Sequence, residues 1–126
     1  MILALKILCG LFAALMAAFG IRWWFGFEGI EAEWQVDALN GIGVNNLTAD
    51  MGALFLGSTI LIALGLRAGK SQWLLSAAVL MLVAAAGRLW VYASSGYEPA
   101  TLTALIVEVV AAGLLFFTHQ QMSAQK

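Results

Sequence analysis

Three ionisable residues, Asp50, Arg88 and Glu108, interrupt stretches of the chain that are otherwise apolar. A charge at the centre of a bilayer costs roughly 2.5–3.5 kcal/mol on insertion scales, so such side chains turn toward protein or a water-filled cavity and pair. Arg88 lies about six residues inside the end of its apolar run, or ~9 Å at 1.5 Å per helical residue. Glu108 lies about nine residues beyond Pro99 on the next run, or ~13 Å by the same arithmetic. An extended arginine reaches across that difference, so Arg88 and Glu108 are expected to pair. Asp50 falls in the first turn of the preceding run, with Arg22 near the same level on the first. Grouped together, Asp50, Arg88, Glu108 and Arg22 form a neutral cluster, as a low-dielectric site requires.

Small neighbours make room around these charges. Ala104, Leu105, Ala111 and Ala112 lie three or four positions from Glu108, and Ala84 and Ala85 precede Arg88 on the same helical face. The cluster has three readings. It is an interhelical clamp that fixes helix order, or the polar floor of a pocket for a lipid or quinone headgroup, or part of a proton pathway. One carboxylate pair is too little for a relay.

The elements that must position these residues follow from hydropathy. Of 126 residues, 63% are hydrophobic and 10% charged, against roughly 25% charged in an ordinary soluble domain. The apolar excess is gathered into runs at about residues 2–25, 47–66, 73–93 and 99–118. Each is near the ~20 residues that span a bilayer as helix. Between the first two lies an acidic loop, 26–46, carrying Glu28, Glu31, Glu33 and Asp37. Its Phe27, Ile30 and Trp34 suggest a short amphipathic element at the interface. Thr48 is the expected cap of the second span. Pro99 suits the first turn of the fourth, and His119–Lys126 reads as a short polar tail.

Basic residues Lys6, Arg67, Lys70 and Lys126 fall on one side of these spans, and the acidic loop and Glu98 on the other. The positive-inside rule then places both termini in the cytoplasm. The expected fold is all-α: a single transmembrane domain over 1–126, an integral membrane up-down four-helix bundle. Trp23, Trp24, Trp34, Trp73, Trp90, Tyr92 and Tyr97 lie near span ends, where an aromatic belt anchors a membrane protein. Lines of mostly small residues at Gly10, Ala13, Ala14, Ala17 and Gly20, and at Ala53, Gly57, Leu61 and Gly65, are expected helix contacts. The first line could also serve a neighbouring copy, which gives a homo-oligomer or a larger membrane complex as the expected assembly.

Other chemistry lacks its parts. Cys9 is the single cysteine, inside an apolar helix, and reads as a small buried hydrophobe. Leu8 stands where a lipoprotein signal needs a small residue. The first run has the outline of a signal peptide but is read as a transmembrane helix. No clustered His, Cys and carboxylate residues provide a metal site. His119 is placed to favour a helix C-terminus, and the loop carboxylates form a solvated face. Ser94 and Ser95 lack a base, Gly41-Ile42-Gly43-Val44 lacks the rest of a phosphate loop, and nothing supports nucleic-acid binding.

The stretch Gly87-Arg88-Leu89, Gly96-Tyr97-Glu98-Pro99 and Glu108, with Ala49–Gly57 upstream, resembles a bacterial domain-of-unknown-function family, the one numbered 4345. That family is a four-helix membrane group similar to the DoxX-like proteins. The resemblance covers roughly residues 47–121. The chain departs from the pattern in its more polar Gly-Tyr-Glu-Pro turn and its long acidic loop. The family has no established activity. Some DoxX-like proteins are associated with quinone-linked redox complexes, so the resemblance implies quinone as a first small molecule to test. The expected protein is therefore a multi-pass protein of the bacterial inner membrane. It binds lipid or quinone without catalysis, or acts as an accessory subunit; a small oxidoreductase or transporter component is the alternative.

Overall fold

The computed structural model describes residues 1–37, 40–96 and 99–125. These fold into α1 (Ile2–Phe25), α2 (Phe27–Trp34), α3 (Gly41–Gly65), α4 (Gln72–Ser95), a 3-10 turn (Pro99–Thr101) and α5 (Leu102–Ser123), with no strand among the described residues. Helices α1, α3, α4 and α5 have 24, 25, 24 and 22 residues and are long and apolar enough to cross a membrane. Their outward surface carries large apolar side chains such as Leu3, Leu11, Val83, Val107 and Val110. A soluble monomer rarely leaves so much contiguous apolar surface in water. Tyr97, Glu98 and Lys126, expected in the aromatic belt, the outer acids and the basic tail, lie outside the described residues.

Local chemistry sets the helix ends, and three differ from expectation. α3 begins at Gly41, six residues before the expected 47, because Asn40 Oδ1 accepts the backbone N–H groups of Ile42 and Gly43 at 3.0 and 3.1 Å. That asparagine satisfies the orphan donors of the first turn, so Asn40 and not Thr48 is the cap. Pro99 opens the 3-10 turn and not an α-helix. α5 continues to Ser123, since His119, Gln120 and Gln121 are compatible with helix even where the hydropathy falls. α2 closes with Val36 N–H on Glu31 O and Gln35 N–H on Ala32 O. This Schellman-type end requires a left-handed residue, and Gln35 fills it at φ 54°.

Contacts group the chain into two units, Leu11–Ile60 and Met1–Gly10 with Leu61–Lys126. In the first, α1 and α3 run antiparallel. Trp24 lies against Gly52, a Cβ on Gly20 would come within 2.5 Å of Leu56 Cγ, and Thr59 Oγ1 donates to Ala13 O at 3.2 Å. The working contacts of α3 are thus Gly52, Leu56 and Thr59. Ala53 is exposed and a side chain at Gly57 would meet open space, so the expected Ala53–Gly57 line is not the packing face.

The core of this unit is aromatic. Met16, Trp23, Ile30 and Phe55 are buried, with Phe19, Phe27 and Trp34 packed around them. Trp34 meets Phe19, Trp23 and Phe55 edge to face at 5.5–5.8 Å between ring centres, the arrangement favoured by ring quadrupoles. Trp23 and Trp34 are therefore core residues and not belt anchors; Trp24, Trp73 and Trp90 are the exposed ones. Trp23 is 0% exposed, and its Nε1 has no hydrogen-bond partner among the described residues.

The second unit is built on the antiparallel pair α4 and α5, lined with small residues. Ala77, Ala78, Ala85, Ala111 and Ala112 are buried between Leu74, Met81 and Leu115. At one end Ser71 and Ser123 hydroxyls are 3.1 Å apart and His119 Nδ1 lies 2.9 Å from Ser71 O. Because that carbonyl only accepts, Nδ1 carries the hydrogen; His119 ties two helices and does not cap its own. The buried Cys9 donates its S–H to Thr118 Oγ1 at 3.4 Å. Gly65 is required where α3 ends, since a Cβ there would come 2.7 Å from the backbone N of Leu74.

Candidate functional site

α4 and α5 carry one Asp, Glu, Lys or Arg each: Arg88 and Glu108. Arg88 lies seven residues before the end of α4, about 10 Å along the axis, and Glu108 six residues into α5, about 9 Å. A short connection turns α5 back along α4, so matched depths bring the two side chains together. Arg88 Nε stands 2.9 Å from both Glu108 Oε1 and Oε2. Glu108 keeps 13% of its side chain exposed and Arg88 31%.

The mode of contact matters more than the distance. A guanidinium has five N–H donors in a fixed fork, and the common bidentate contact uses two nitrogens on two oxygens. Here one nitrogen, Nε, is shared between both oxygens. The four N–H bonds of Nη1 and Nη2 have no partner among the described residues. Leaving charged-group donors unpaired in a low-dielectric setting is costly. One turn beyond, Tyr92 and Thr101 hydroxyls meet at 2.6 Å. On the other side lie the buried alanines Ala85, Ala111 and Ala112.

Arg22 and Asp50 are placed differently. Arg22 Nη2 donates to Glu33 Oε2 at 2.6 Å, so its expected partner on α3 is replaced by a carboxylate from α2. α2 follows α1 after one residue, and the fold-back brings Glu33 to Arg22. Both side chains are largely exposed, 44% and 54%. The hydrogen bond from Arg22 holds the Glu33 carboxyl below its ordinary value of 4.5. Asp50 is exposed on α3 and makes no hydrogen bond or ion pair with another described residue. Sequence reasoning passed over Glu33 as one of several solvated acids; its spacing of 11 from Arg22 across a Gly26 break was the available signal.

Two shallow grooves accompany these pairs. One of about 610 Å³ is lined by Trp24, Phe25, Val44, Asn45, Thr48 and Ala49, and one of about 430 Å³ lies on the outer face of α4 and α5. Neither includes a charged residue. No group of three His, Cys, Asp or Glu side chains stands ready to hold a metal among the described residues. No family model, curated protein or solved structure matches the chain.

Proposed function

We propose that this chain is a four-span bundle of the bacterial inner membrane, with both termini cytoplasmic, that holds the headgroup of a membrane amphiphile at Arg88–Glu108. The observation that carries this reading is the unused edge of Arg88: four N–H donors, held by Glu108 through Nε alone, inside a helix built for lipid. A lipid or quinone-type headgroup supplies the acceptors that hydrocarbon cannot. The basic residues Lys6, Arg67 and Lys70 and the acidic residues of 28–37 support the orientation. The resemblance to the family numbered 4345 points to the same class of protein.

Native mass spectrometry of the chain released from nanodiscs tests the proposal. The wild type retains a co-purifying amphiphile, and Arg88→Ala loses it while remaining helical by circular dichroism. If neither protein retains a ligand and Arg88→Ala differs only by a lower melting temperature, the pair is an interhelical clamp and the binding reading is wrong.

A further inference from the structure

We infer that the headgroup taken by Arg88 is an uncharged carbonyl acceptor, an ester, amide or ring carbonyl, and not a phosphate. This rests on the reading of Arg88–Glu108 as a headgroup site. The argument is one of charge balance. Glu108 already neutralises Arg88 through two 2.9 Å contacts to Nε. α4 and α5 contain no further Lys or Arg, so no second cation on these helices stands by to balance an arriving anion. A phosphate at the Nη edge would therefore bring uncompensated negative charge next to a largely buried carboxylate. The attraction to the guanidinium would be offset by repulsion from Glu108, with little water to screen either.

What the site offers without that conflict is hydrogen bonding. The Nη edge offers N–H donors, and a carbonyl oxygen accepts them through its lone pairs without bringing charge to the pair. The setting suits such a group. Arg88 lies about 10 Å inside its helix end. The neighbouring positions Ala85, Ala111 and Ala112 are apolar and buried and add no charge to the site.

Two acceptor probes with the same alkyl tail separate the cases: N,N-dimethyldodecanamide, neutral and acceptor-only, and dodecyl phosphate. Binding is measured by thermophoresis on the full chain in an uncharged maltoside detergent. Wild type is expected to prefer the amide by roughly tenfold, the scale of one hydrogen bond to a charged group. Glu108→Gln frees the arginine charge and is expected to reverse the order in favour of the phosphate. Arg88→Lys keeps the charge but not the fork, so it loses affinity for the amide more than for the phosphate. Tighter or equal binding of phosphate by wild type overturns this inference while leaving the headgroup reading intact. Equal binding of both probes by wild type and Arg88→Ala overturns the headgroup reading itself.

Discussion

The two Arg–Glu pairs in this chain, Arg22–Glu33 and Arg88–Glu108, use the same residue types over similar distances, 2.6 and 2.9 Å. They differ in surroundings and in which nitrogen is used. Arg22 reaches out with a terminal Nη, and both partners are about half exposed. Exposed pairs of this kind contribute little, because water and salt compete for each charge. Arg88 is tied back by its inner nitrogen to a carboxylate that is mostly covered, so its outer edge is held in place and left open. The first pair tacks a surface helix to its neighbour; the second presents donors. Residue identity is shared, and burial decides the consequence.

The largest way to break this comparison is to remove the arginines in turn. Arg88→Ala should lower stability by about 2–3 kcal/mol, below the roughly 3–5 kcal/mol for breaking a fully buried pair, because Arg88 keeps some exposure. Arg22→Ala should shift the melting temperature far less. Thermal unfolding in nanodiscs, followed by circular dichroism, makes the comparison; similar losses for both would erase the distinction drawn from burial.

A glycine pair sharpens the contrast between the regions. Gly65→Ala drives a methyl against the Leu74 backbone and should cost about 1–3 kcal/mol. Gly57→Ala meets open space and should stabilise α3 by roughly 0.5–1 kcal/mol through helix propensity. The same unfolding assay reads both, and a destabilised Gly57→Ala would mean that this face is already packed. Next in size is Gln35→Gly, which removes the left-handed strain at the end of α2 and should gain about 1 kcal/mol.

The smallest effect is a pH dependence confined to α2. Glu33 binds its proton more weakly when folded than when unfolded, because Arg22 donates to its carboxylate. The contribution is therefore full above the ordinary glutamate value of 4.5 and is lost as pH falls through the depressed folded value. Amide exchange across Phe27–Trp34 should quicken in that range relative to α4, and Glu33→Gln should abolish the difference. An unchanged profile in Glu33→Gln would assign the acid response to another group.

Hydropathy made the four long helices legible, since runs of about 20 apolar residues have few other solutions. The Arg88–Glu108 contact was legible too. Two helices joined by a short connection must run antiparallel, so depth counted from the connection predicts the meeting point. What hydropathy hid was anything decided by a single side chain. Asn40 starts α3 by accepting two N–H groups, a fact invisible to a hydropathy average. Trp23 and Trp34 have the composition of interface anchors, yet α2 folds back and packs its Trp34 against Trp23 and Phe55. Arg22 was matched to Asp50 by level, but the carboxylate on the fold-back, Glu33, meets it instead. The unused edge of Arg88 is a matter of which nitrogen bonds, and only coordinates show it.

The central claim, that the Nη edge of Arg88 holds an acceptor from a membrane amphiphile, is tested most directly by solid-state NMR. The chain, isotope-labelled at arginine nitrogen, is placed in ester-linked phosphatidylcholine bilayers labelled at the acyl carbonyl. Through-space transfer from the Nη atoms of Arg88 to a lipid carbonyl is predicted, stronger than from Arg22, which gives an Nη2 hydrogen to Glu33 and is about half exposed. Absence of transfer at Arg88, or transfer of equal strength at Arg22, would contradict the account.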